Sequence, residues 1–123
     1  MTKAEVKASW GASFGRCRSC ARETWYFNYR PFTPQGAGMT FQRGRVVQVF
    51  TVWQPLGWRT TKGLALGALE GQVTQALGPL PRRSCGDYDA LVLRGALAQS
   101  AFYLHDGTLW GFGLTRPEAS PCV

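Results

Sequence analysis

The chain has 123 residues, 45% of them hydrophobic, which suffices for one core of ordinary size and is marginal for two independent ones. Fourteen Lys and Arg against seven Asp and Glu give a net charge of +7, which favours acidic or anionic partners over basic ones. The longest apolar runs fall far short of the roughly 20 residues that a bilayer-spanning helix needs, so no membrane span is expected. The chain also lacks a basic start followed by an apolar stretch and a small-residue cleavage site, although a secreted protein freed of its leader reads the same way.

Residues 2–10 open with Thr2 as a helix cap and place Val6 and Trp10 four apart before Gly11, which predicts a short helix. Thr24-Trp25-Tyr26-Phe27-Asn28-Tyr29 is rich in residues favoured in strands and is ended by Pro31 and Pro34. Met39-Thr40-Phe41 and the run from Val46 to Trp53 flank Arg43-Gly44 and predict a hairpin. Gln54 to Gly67, with Pro55, Gly57, Gly63 and Gly67, has the composition of a linker. A second short helix is expected over 68–77, where Val73 and Leu77 precede Gly78. Strands then follow over Tyr88 to Arg94, Ser100 to Leu104 and Leu109 to Leu114, the last two joined by Asp106-Gly107, a strong hairpin signal.

These elements repeat. The hairpin around Gly44 matches that around Gly107 at an offset of 63, and Glu5 to Gly11 matches Gln72 to Gly78 at an offset of 67. The expectation is a single α+β domain over 1–123. It is built from a first repeat, 1–56, and a second, 57–123, each a helix plus an antiparallel hairpin, forming one curved antiparallel sheet with helices on one face.

The cysteines stand as Cys17-Arg-Ser-Cys20, Cys85 and the penultimate Cys122. An even count in a small, loop-rich chain fits oxidising surroundings, and the favoured pairing is Cys17 with Cys20 and Cys85 with Cys122. Two other readings of Cys17 and Cys20 compete. A zinc half-site needs a second pair of ligands, yet Cys85 and Cys122 form no CxxC and the one histidine, His105, falls in a hairpin turn. A redox pair would gain from Arg16, Arg18 and Arg22, but the motif does not lie between a strand and a helix. The expectation is therefore disulfides, with no metal and no cofactor.

Catalytic chemistry finds little support. Of the seven carboxylates only Asp87 and Asp89 are close, and such a pair is more often a solvated strand entrance than acid–base machinery. Gly36-Ala37-Gly38 lacks the lysine and following helix of a phosphate-cradling loop. The chain is not expected to be an enzyme. Functional signal lies instead in aromatic residues and arginines: strand alternation sends large rings to both faces of the sheet, and aromatic surface flanked by arginine is typical of protein interfaces. The candidate protein-binding residues are Tyr26, Arg30, Phe50, Trp53, Tyr103 and Trp110, each weighed against a place in the core.

A glycine-led short helix ending in x-x-x-[Leu/Trp]-Gly, followed by a strand pair around [Phe/Leu]-x-x-Gly-x-[Val/Leu], resembles the repeat of the beta-lactamase inhibitory proteins and the related small outer-membrane assembly lipoproteins. Gly63-Leu64-Ala65-Leu66-Gly67-Ala68-Leu69, Val73 and Leu77-Gly78 carry the likeness, while the first copy starts directly at its helix, without the leading glycines. The chain is also similar to secreted tandem-repeat proteins of actinobacterial type, through Gly57-Trp58-Arg59-Thr60 and the terminal Pro121-Cys122. The first resemblance implies a saddle-shaped sheet whose concave face grips another protein with aromatic residues. The leading expectation is thus a secreted, non-catalytic protein-binding or inhibitor-like module. The alternatives are a basic binder of anionic polymer, whether cell-envelope polysaccharide or nucleic acid, and a structural component of envelope assembly. Secretion or the cell envelope is the expected location.

Overall fold

A computed structural model describes residues 1–27, 36–52 and 59–123. The described residues form two eight-residue helices, α1 (Lys3–Trp10) and α2 (Glu70–Leu77), and eight strands. In chain order the strands are β1 (Gly15–Arg16), β2 (Glu23–Phe27), β3 (Gly36–Gln42), β4 (Arg45–Val52), β5 (Arg82–Ser84), β6 (Asp89–Arg94), β7 (Gln99–His105) and β8 (Thr108–Thr115). All eight join one antiparallel sheet in the order β1-β2-β3-β4-β8-β7-β6-β5.

This corrects the expected fold class. The chain is not two helix-plus-hairpin repeats with helices on one face; it is mostly a single eight-stranded antiparallel sheet with two short helices. Two physical reasons account for the difference. Each expected set of strands gains an edge strand, β1 beside β2 and β5 beside β6, so that sheet rather than helix dominates. Each helix is also about two turns long and buries one residue, Val6 or Val73, which is too little to cover eight strands.

Both helices are nonetheless well terminated. In α1, Thr2 Oγ1 accepts from the Glu5 amide at 3.3 Å, and the Glu5 carboxylate accepts from the Thr2 amide at 2.6 Å, a reciprocal cap. That bond to the Thr2 amide is the main cause holding the Glu5 carboxyl below its usual range. In α2, the Gln72 side chain accepts from the Leu69 amide at 2.8 Å. The matches at offsets 63 and 67 mark recurring turns. Gly11 and Gly78 end the helices, and Arg43-Gly44 and Asp106-Gly107 close two-residue hairpin loops with positive φ at both positions, as the twist of the flanking strands requires. These turns sit within one continuous sheet.

Register gives the sheet two distinct sides. Paired positions run across it in rows, and residues two apart on a strand share a side. One row reads Met39, Val49, Leu114, Ser100, Leu93, and its neighbour reads Ala37, Thr51, Phe112, Phe102, Leu91. On this side Val6 packs among Trp25, Phe27, Met39 and Phe41, and Val73 packs among Leu91, Phe102, Leu104 and Leu109. The opposite side carries the row Tyr26, Gly38, Phe50, Gly113, Ala101, Val92. There the absence of side chains at Gly38 and Gly113 makes room for Phe50: a Cβ on either glycine would lie under 3.0 Å from its atoms.

Glycine substitutions should therefore divide by environment. Gly113→Ala meets both Phe50 and the Val49 carbonyl and is expected to cost about 1–3 kcal/mol through overpacking. Gly71→Ala, on open helix surface, is expected to stabilise by up to about 1 kcal/mol. Urea unfolding midpoints measure both.

Candidate functional site

The aromatic residues singled out from the sequence converge, but under cover. Tyr26, Phe50 and Tyr103 are buried in one core cluster with Val52, Ala90, Val92 and Ala101. Tyr26 and Phe50 meet edge to face with ring centres 5.7 Å apart, and half-buried Trp110 packs on Tyr88 at 4.9 Å and on Tyr103 at 6.5 Å. Arg30 and Trp53 lie outside the described residues.

The cover is the segment that follows β8. Gln48 Nε2 donates to the Pro121 carbonyl at 2.7 Å and to the Tyr103 hydroxyl at 2.9 Å, and that hydroxyl donates to the same carbonyl at 2.7 Å. Gln99 Nε2 donates to the Ala119 carbonyl at 2.8 Å, and Arg22 donates to the Cys122 carbonyl at 3.0 Å. Tyr88 donates to the Val123 carbonyl and accepts from the Val123 amide, both at 2.7 Å. The two buried glutamines thus serve to satisfy the backbone of this strap, which otherwise carries unpaired carbonyls into a dry interface. Burial pushes the Tyr103 phenol far up and the Tyr88 phenol up as well, against the partial opposing effect of their hydrogen bonds.

Both disulfides are present, Cys17 with Cys20 and Cys85 with Cys122. The first closes a tight loop before β2. The second ties the strap to the loop before β6 across a separation of 37 residues. His105 stands half-buried 3.3 Å from Asp106, and Asp89 is ion-paired with Arg82 at 2.7 Å, while Asp87 is exposed.

The open surface lies on the other side of the sheet. A groove of about 420 Å³ runs over the central strands between the last residue of α1, Trp10, and the last residue of α2, Leu77. Its floor comprises parts of the two cross-strand rows, including Val49, Leu114, Ser100 and Leu93 from one and Thr51, Phe112 and Phe102 from the other. Arg59, Thr60, Thr61 and Lys62 form its polar rim, and among the described residues no acidic one lines it. Among the described residues six large hydrophobic side chains are exposed, and three of them, Trp10, Leu93 and Leu114, line this groove. Trp10 is held in place by Phe27, with ring centres 5.3 Å apart.

Sequence reading missed this set. In the sequence, Trp10 stands only as the helix residue four after Val6, and Leu114 as the end of a strand. The available signal was the alternation Phe112, Leu114 along β8, which puts apolar residues on the side opposite Gly111 and Gly113.

No family model matches the chain, and no curated protein matches it in sequence. Its fold is similar to that of a DUF4309 family protein, YjgB, from Bacillus subtilis, with a TM-score of 0.66 and 15% identity over 94% of this chain and 78% of that one. It is also similar to that of an extracellular protein containing a SCP domain from Bacillus anthracis, with a TM-score of 0.61 and 12% identity over 95% of this chain and 43% of that one.

Two measurements bear on the strap. Replacing both Cys85 and Cys122 by serine reopens a loop whose closure is worth about 4 kcal/mol, and chemical unfolding should report a loss of that order. The raised Tyr103 phenol contributes stability that is fully present below the unfolded pKa, about 10, and is lost as pH rises above it. Between about pH 10 and about pH 12 the protein should therefore lose more stability than its Tyr103→Phe variant.

Proposed function

We propose that the protein is an extracellular, non-catalytic binding module that engages a partner protein through the groove between the ends of α1 and α2. The observation that carries this reading is the convergence of Trp10, Leu93 and Leu114, exposed, on one concave and mostly apolar surface. Exposed apolar side chains are individually ordinary; their clustering in a groove with a polar rim marks an interaction site. Trp and Leu on a preformed scaffold lose little conformational entropy on binding, so the surface is suited to anchor a partner.

Three further points support the reading. Two disulfides fit an oxidising compartment. One protein of similar fold is described as extracellular, and this chain spans less than half of it, as expected of a module that accompanies other domains. The resemblance to the beta-lactamase inhibitory proteins implies gripping by a sheet face. In this chain the face suited to that role is the groove side, because the chain's own strap occupies the aromatic side.

The protein, immobilised in its oxidised form, is exposed to extracellular and envelope proteins and washed at low and high salt beside a Trp10→Ala, Leu114→Asp double variant. A protein retained through high salt, and lost by at least tenfold on the variant, is the expected outcome. Retention of anionic polymers alone, lost in salt, overturns the reading in favour of a basic polymer binder. Capture of the chain by itself, undiminished by the substitutions, overturns it in favour of an assembly component.

A further inference from the structure

Resting on the groove reading, we propose that the occupant is a segment of the partner that presents a large apolar side chain with acidic residues beside it. The floor and the rim make separate demands. The floor is apolar apart from the hydroxyls of Thr51 and Ser100, and Thr51 is itself buried, so the part of a ligand that reaches it must be apolar to avoid an uncompensated desolvation cost. The rim is cationic: Arg59 and Lys62 line the groove, and among the described residues no Asp or Glu does.

Five other cations are engaged within the chain, whereas Arg59 and Lys62, like Arg18, Arg43, Arg45, Arg83, Arg94 and Arg116, stand in no ion pair among the described residues; lining the groove is what sets these two apart. Lys3 is paired with Glu23 at 2.5 Å, Arg82 with Glu70 and Asp89, and Arg22 with the strap carbonyls. Lys7 and Arg16 lie over the stacked rings of Phe14 and Trp25, at 5.6 and 5.8 Å from the indole. Arg59 gives one donor to the Gly63 carbonyl at 3.2 Å, which fixes the guanidinium at the rim and leaves it able to bind a carboxylate through its remaining donors. Thr60 Oγ1 is spent on the Leu64 amide at 3.2 Å, which braces the same turn.

A carboxylate seated there shares the groove with the exposed apolar side chains of Trp10 and Leu114, where water screens it less than on open surface. An ammonium or guanidinium brought to the same rim meets two like charges with no acid to offset them. The rim therefore selects by repulsion as well as attraction.

The test is an NMR titration of the intact, oxidised protein with three probes: the peptide Asp-Glu-Trp-Leu-Asp-Glu, its counterpart Lys-Lys-Trp-Leu-Lys-Lys, and dodecanoate. The side-chain signals of Trp10, Leu93 and Leu114 report the groove. The expected result is that the acidic peptide shifts these signals and binds at least about tenfold more tightly than the basic one, about 1.4 kcal/mol. Arg59→Glu combined with Lys62→Glu should reverse that preference, and Leu114→Asp should abolish binding of the acidic peptide. Equal binding of both peptides, or preference for the basic one, overturns the acidic assignment and leaves the groove reading standing. Shifts from dodecanoate with neither peptide overturn both and make the groove a site for small amphiphiles. Absence of shifts from all three overturns the proposal, and the Trp10→Ala, Leu114→Asp comparison then decides the groove reading separately.

Discussion

The pairing of β4 with β8 is the constraint on which the rest of this molecule depends. These are the two central strands of the sheet, they come from opposite halves of the chain, and their register runs from Gln48 opposite Thr115 to Val52 opposite Gly111. That register sets Gly113 against Phe50 and Gly111 against Val52, so that two positions without side chains lie among the bulky residues of the strap side. It also sets Leu114 against Val49 and Phe112 against Thr51, which lays down the groove floor. A slip of one residue would turn every β8 side chain to the other side, burying Leu114 beneath the strap and giving the groove a floor of glycine.

The two sides of this seam handle polar chemistry in opposite ways. Beneath the strap, Gln48, Gln99 and Tyr103 are buried and their hydrogen bonds end on backbone carbonyls of residues 119–121, while Thr24 and Thr40 pair with each other at 3.2 Å. Each of these groups would be costly alone in a core, and each is satisfied by a partner fixed through the sheet register. On the groove side the charged groups stand at the rim, and among the described residues only Thr51 and Ser100 bring hydroxyls to the floor. The strap side is covered by residues of the same chain, and the groove side keeps Trp10, Leu93 and Leu114 exposed.

Local features were legible in the sequence where local forces decide them. The expected hairpin turns at Arg43-Gly44 and Asp106-Gly107 are the observed ones, because a two-residue loop with positive φ at both positions restricts its residues strongly. Helices expected over 2–10 and 68–77 are found over Lys3–Trp10 and Glu70–Leu77. Strands β1 and β5 were not legible: Gly15-Arg16 and Arg82-Arg83-Ser84 show no apolar alternation and are strands only because β2 and β6 offer them edges. The fold class was misjudged for the same reason, since counting strands in a sheet requires knowing which edges are filled. The even cysteine count pointed to disulfides but left three pairings open, and the favoured one, Cys17 with Cys20 and Cys85 with Cys122, is the one observed. What covers each side was not, because Tyr26, Phe50 and Tyr103 look alike in sequence whether they meet solvent or the residues around Pro121.

The strap carries a consequence for the order in which the chain assembles. Cys17 and Cys20 are three residues apart and can be oxidised before any strand has formed. Cys122 reaches Cys85 through a segment that lies against Gln48 and Arg22, both from the first half of the chain, so the native surroundings of that bond exist only after β4 and β8 have paired. The bond itself joins two residues of the second half, and the strap it fixes reaches across to Arg22 and Gln48 of the first. In an oxidising compartment the sheet thereby gains a second tie between its halves, beside the β4–β8 seam and independent of strand pairing.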